Sequence, residues 1–81
     1  MIMSIGRVCK KVKGKDAGKY CVVVNRFGRR DKNFVLIDGI GVRRRKVNIS
    51  HLEPIPVVLE LEKNAKTEAV VNALNEKSLS I

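Results

Sequence analysis

The sequence predicts a mainly β domain, a small barrel, with one helix at its C-terminal end. Short β-branched runs recur at roughly 8–12-residue spacing between glycine-bearing turns, which is the pattern of a small all-β barrel. Only the stretch Thr67–Lys77 turns to Ala, Leu and Glu with an apolar face of helical period. A chain of 81 residues has room for one domain. At that size folding buries only about 60% of the surface the unfolded chain exposes, so the core is thin.

Each element follows from local residue types. Ile5–Val12 mixes Val and Ile with Arg and Lys and reads as a half-buried strand. Gly14-Lys15-Asp16-Ala17-Gly18-Lys19 reads as a turn, with Gly14 and Gly18 shaping it. Tyr20-Cys21-Val22-Val23-Val24 is almost continuously apolar, as expected of a central strand covered on both faces. Phe27–Lys32 is a basic turn around Gly28, and Asn33–Asp38 is the next strand, ended by Gly39-Ile40-Gly41. Val42–Ile49 is a further strand with Val47 and Ile49 on one side, and Ser50-His51-Leu52-Glu53 is a single helical turn. Pro54-Ile55-Pro56 is expected to turn the chain, because each Pro fixes φ and removes a backbone donor. Val57–Glu62 suits an edge strand. In the helix, Val70, Ala73 and Leu74 share a face, Thr67 or Asn64 caps the start, Glu68 suits the first turn and Lys77 the last.

Charge divides the chain at the prolines. Residues 1–53 hold fourteen Lys and Arg against four Asp and Glu, a balance of +10. Residues 54–81 hold three Lys against four Glu, a balance of −1. We therefore read 1–53 as a basic barrel and 54–81 as an edge strand and helix packing on it, one domain overall. The whole carries a formal net charge of +9, which points to a polyanionic partner. The 44% hydrophobic content is too high for a disordered basic tail. No apolar run approaches the ~20 residues of a membrane span, and the N-terminal residues lack the apolar stretch of a signal peptide. Two cysteines are too few for a disulfide-dense secreted scaffold, so a cytoplasmic setting is expected. The isolated chain is expected to be a monomer.

No residue set suits catalysis, a metal or a cofactor. The Gly14–Lys19 turn has three residues between its glycines where a phosphate-binding loop has four, and Tyr20 stands where that motif needs Ser or Thr. Cys9, Cys21 and His51 are too few and too scattered for a zinc site. Both cysteines lie in strand segments, where a thiol serves as a small apolar filler. Asp16, Asp31 and Asp38 each lie near a turn, where Asp bonds its own backbone.

Three basic clusters remain: Lys10-Lys11 with Lys13 and Lys15; Arg26 with Arg29, Arg30 and Lys32; and Arg43-Arg44-Arg45-Lys46. Alternation along a strand sends Arg43 and Arg45 one way, Arg44 and Lys46 the other. A folded RNA that surrounds the domain would use both faces. Aromatic residues make up only 4%, so backbone and shape contacts are expected to dominate over reading of splayed bases.

Ile5-Gly6-Arg7-Val8, the Gly14–Lys19 turn and Cys21-Val22-Val23-Val24 together resemble a KOW motif, a strand, glycine turn and strand. Asn33-Phe34-Val35-Leu36, Gly41–Asn48 and His51-Leu52-Glu53-Pro54 extend the match, and over residues 3–77 the chain resembles the fourteen-e type of large-subunit ribosomal protein of archaea and eukaryotes. The short tail is similar to the archaeal form. The resemblance implies an SH3-like β-barrel with a packed helix, and a structural, non-enzymatic role with ribosomal RNA and neighbouring large-subunit ribosomal proteins as partners. The residues expected to meet RNA are Arg7, Lys11, Lys13, Lys15, Lys19, Arg29, Arg30, Arg43, Arg44, Arg45 and Lys46. Two alternatives stand beside this: a stand-alone KOW module that binds protein in a transcription or translation factor, and a small basic barrel that coats DNA.

Overall fold

The computed structural model describes residues 3–77; the Arg29 side chain is outside the described set. Five strands form one antiparallel sheet in the order β4-β3-β2-β1-β5. They are β1 (Arg7–Lys11), β2 (Tyr20–Arg26), β3 (Phe34–Gly39), β4 (Val42–Asn48) and β5 (Leu52–Val58), followed by α1 (Thr67–Glu76). One-turn 3-10 segments at Arg29–Asp31 and Ile49–His51 join β2 to β3 and β4 to β5. The second of these carries the chain from one sheet edge to the other, so the sheet curls into the SH3-like form. Asn48 caps it, its side-chain oxygen accepting from the Ser50 N–H at 2.9 Å.

The two faces of β2 explain its composition. Cys21 and Val23 enter the barrel interior with Cys9, Val35, Ile37, Val42, Val47 and Leu52. Val22 and Val24 face the other way and pack with Val8, Leu59 and the helix residues Val70 and Leu74. The continuous apolar run is thus a strand covered by barrel on one side and helix on the other. The cysteines sit directly opposite one another on β1 and β2, both buried as free thiols.

Strand alternation alone does not account for β4. Val42 and Val47 are five apart, yet both enter the barrel interior. The register makes this possible. Ile37 pairs with Arg45 but Gly39 pairs with Val42, so β4 carries one residue more than β3 across this stretch. This bulge turns Val42 inward and leaves Asp38 on the helix face, where it pairs across the sheet with Val22.

Two local expectations are corrected. Pro54-Ile55-Pro56 is not a turn but the middle of β5. Pro54 pairs with Cys9 on an edge strand whose outer side needs no donor, and the ladder skips between Arg7 and Cys9 near Pro56. The edge strand accordingly runs Leu52–Val58 rather than Val57–Glu62. The helix begins at Thr67 as expected, but neither Thr67 nor Asn64 caps it. Lys66 holds the cap position without a side-chain bond, Asn64 takes a left-handed φ of 59°, and Thr67 donates its hydroxyl to Asp38.

Candidate nucleic-acid interface

The basic residues divide into those drawn into the fold and those left on its surface. Lys11 follows Cys9 by two residues and so turns to the same face, where it is 1% exposed. Burial takes it off the surface of the free protein, while Lys10, Lys13 and Lys15 remain exposed. In the third cluster Arg44 is turned toward the fold. Its Nη1 donates to the Asp38 carboxylate at 3.2 Å and to the Ala65 carbonyl at 2.6 Å. Asp38 is 1% exposed and also accepts from the Gly39 N–H at 2.9 Å and from Thr67. Arg44 therefore ties β4 to the segment entering α1 and pairs with a buried carboxylate while part of its side chain stays in contact with solvent.

Two further expected residues have internal partners. Arg7 donates from Nη1 to the Ile55 carbonyl at 2.9 Å, bracing β1 against β5. Lys19 donates to Asp16 at 3.4 Å and to the Gly41 carbonyl at 3.2 Å. That second bond joins the β1–β2 turn to the β3–β4 hairpin, two segments far apart in sequence.

The consequence is a shared cleft. Gly14, Lys15 and Asp16 from the turn face Arg43 and Arg45 from β4 across a hollow of about 470 Å³. Gly14 and Gly18 take φ values of 85° and 91°, which lets the turn fold tightly toward β4. Asp16 is engaged by Lys19, so it neutralises little of the cleft. Among the described residues Lys15, Arg43 and Arg45 enter no ion pair. Two guanidinium forks and an ammonium converging on one hollow are suited to phosphate oxygens, the forks by paired donors and the ammonium as a point charge. A larger hollow of about 620 Å³ lies between residues 60–66 and α1, but Glu60, Glu62 and Glu68 there offset Lys63 and Lys66 and make it unsuited to a polyanion.

The second cluster lies in the same stretch of chain as the two phenylalanines. Arg26, Arg30 and Lys32 are exposed along the β2–β3 connection. At its two ends Phe27 and Phe34 flank the Lys46 ammonium, which lies 4.8 and 5.0 Å from the ring centroids. Asp31 meets the same ammonium at 3.0 Å. Both partners of that pair are more than 40% exposed, so the contact contributes at most about 1 kcal/mol. In the sequence Lys46 is only the end of the arginine run; the fold alone brings residues 27, 31, 34 and 46 together.

The thiols are held away from reactivity. Burial pushes Cys9 up to about 11 and Cys21 up to about 12, from an ordinary 9.0. Since the thiolate is the nucleophile, both should resist a disulfide reagent at pH 8 in the native protein and react fully once unfolded. The raised values also set a pH dependence. Folding favours the neutral thiols, so their contribution to stability is complete below pH 9 and is lost as pH rises toward 11 to 12. Denaturation curves from pH 8 to 11 should show a decline that a Cys9→Ala/Cys21→Ala variant lacks; an identical decline in both would refute it. Among the described residues no three His, Cys, Asp or Glu cluster to hold a metal ion, and no helix is long and apolar enough to cross a membrane.

No protein-family model matches the chain. Curated archaeal relatives do. The chain is 48% identical over 77 residues to the large ribosomal subunit protein eL14 of Methanococcus maripaludis, a match spanning 95% of each chain. It is 44% identical over 82 residues to the protein of that name from Saccharolobus solfataricus, covering 96% of this chain and 82% of the relative. The corresponding protein of Aeropyrum pernix is 41% identical over 83 residues, covering 98% of this chain and 80% of its own.

Proposed function

Because the chain belongs to the eL14 family of large ribosomal subunit proteins, we propose that it is a structural constituent of that subunit which binds ribosomal RNA through the cleft between its β1–β2 turn and β4. The observation that supports this reading most is the convergence of Lys15, Arg43 and Arg45, from distant parts of the chain, on one hollow; among the described residues none of the three is in an ion pair, and the Asp16 that also lines the hollow is paired with Lys19. Exposed Lys13 and Arg30 extend the contact along the backbone of the RNA. The role is scaffolding on the cytoplasmic ribosome rather than catalysis, with neighbouring subunit proteins as further partners. Binding rests on phosphate neutralisation with release of counterions, so affinity falls steeply with salt.

Salt titration of binding to large-subunit ribosomal RNA tests this. Each phosphate contact contributes roughly 0.7–0.9 to the slope of log affinity against log salt. A Lys15→Ala/Arg43→Ala/Arg45→Ala variant should lose about two to three units of that slope. An unchanged slope and affinity would rule out the cleft as the contact. Tighter binding of duplex DNA than of structured RNA at matched salt would favour the DNA-coating alternative.

A further inference from the structure

We propose that Phe27 and Phe34 form a seat for one unstacked base of the bound RNA, with Lys46 occupying the seat in the free protein. This rests on the RNA-binding reading above and adds a contact of a different kind. The chain has three aromatic residues, and Tyr20 packs against the apolar cluster on the helix side of the sheet. The other two are brought to one place by the β2–β3 connection, although seven positions separate them. Both rings are only half-buried, and each presents a face to which an ammonium group has access. A ring face open to a cation is also open to the flat face of a base, and such stacking tolerates any base.

The surroundings name the ligand as a nucleic-acid strand rather than a free apolar group. Arg26, Arg30 and Lys32 are exposed in the same stretch of chain, between the end of β2 and the start of β3, and suit the phosphates on either side of a splayed base. Among the described residues Lys46 is retained over the rings by one exposed carboxylate, Asp31. A neighbouring phosphate competes for the same ammonium and draws it off the ring faces, so the cation that covers the seat becomes a backbone contact when the seat fills. Lys46 and Arg45 are adjacent on β4, an edge strand, with Lys46 opposite Leu36 and Arg45 opposite Ile37 on alternate faces. An RNA strand passing over this edge would meet the cleft on one side and the aromatic seat on the other.

The chain contains no Trp, so Phe27→Trp places a single reporter in the seat. Titrating this variant with a transcript of archaeal large-subunit ribosomal RNA should quench indole emission in step with binding. In parallel, Phe27→Leu should bind about tenfold more weakly at every salt concentration with the slope unchanged, because stacking releases no counterions. Lys46→Ala should lower the slope by about one contact and, combined with Phe27→Trp, leave the quench in place. Phe27 lies outside the strands, so Phe27→Trp and Phe27→Leu are expected to melt as the parent does. Full binding of Phe27→Trp without a change in emission, or Phe27→Leu binding like the parent, would overturn the seat alone. A parent protein that shows no salt-dependent binding would overturn the RNA-binding reading itself.

Discussion

Replacing Gly6 by Ala should cost about 3 kcal/mol of stability, the combined effect of a left-handed backbone and an overpacked contact. Gly6 has a φ of 94°, and a Cβ built there would stand 2.1 Å from the Leu59 carbonyl oxygen. That atom is backbone and has no rotamer by which to withdraw. Gly6 cannot draw away either, because its N–H donates to the Val23 carbonyl at 2.8 Å and its own carbonyl accepts from the Leu59 N–H at 2.7 Å. Any retreat of Leu59 also moves its buried side chain, which packs with Val70 and Leu74 and so seats the helix. Gly14 supplies the control. Its φ is 85°, but nothing lies within 4 Å of a Cβ built there. Gly14→Ala should therefore cost only about 1 kcal/mol, the left-handed penalty alone. Guanidinium denaturation of the two variants decides it, and equal midpoints would show that the Leu59 contact is not limiting.

The features readable from the sequence are those determined by neighbouring residues. The run Tyr20–Val24 announces a strand covered on both faces because nearly every side chain in it is apolar, and the two core clusters divide it as alternation requires. The helix was legible from its period, with Val70 and Leu74 buried and its start at Thr67. What escaped depends on partners distant in the chain. A Pro-Ile-Pro segment is equally compatible with a turn and with an edge strand, and only pairing with β1 decides between them. The extra residue in β4 has no local signature, since it follows from where β3 lies. Asp38 next to Gly39 looks like an ordinary turn aspartate; its buried place beside Arg44 and Thr67 appears only when β3, β4 and α1 come together. For the same reason the arginine run was readable as a basic strand, but not as two exposed arginines and one structural one.

That division within the run leads to opposite expectations for adjacent residues. Arg44→Ala should lower stability by about 2–3 kcal/mol, while Arg43→Ala and Arg45→Ala should each stay within about 0.5 kcal/mol of the parent. Without Arg44 the Asp38 carboxylate remains buried with the Gly39 N–H and the Thr67 hydroxyl but no cation. Breaking a fully buried pair costs about 3–5 kcal/mol; Arg44 is 30% exposed on its side chain, so water reaches the site and the expected loss is smaller. The Ala65 carbonyl also loses its 2.6 Å donor, which loosens the approach to α1. Asp38→Asn removes the charge that needs Arg44, so the Asp38→Asn/Arg44→Ala pair should cost about 1–2 kcal/mol less than the two single changes added together. Binding should show the reverse order. Arg43→Ala and Arg45→Ala should each reduce the salt slope by close to one phosphate contact, whereas Arg44→Ala, measured where it is fully folded, should leave the slope intact. If Arg44→Ala is as stable as Arg43→Ala, or lowers the slope as much, Arg44 is an RNA contact and the buried pair is not what holds β4 to the helix.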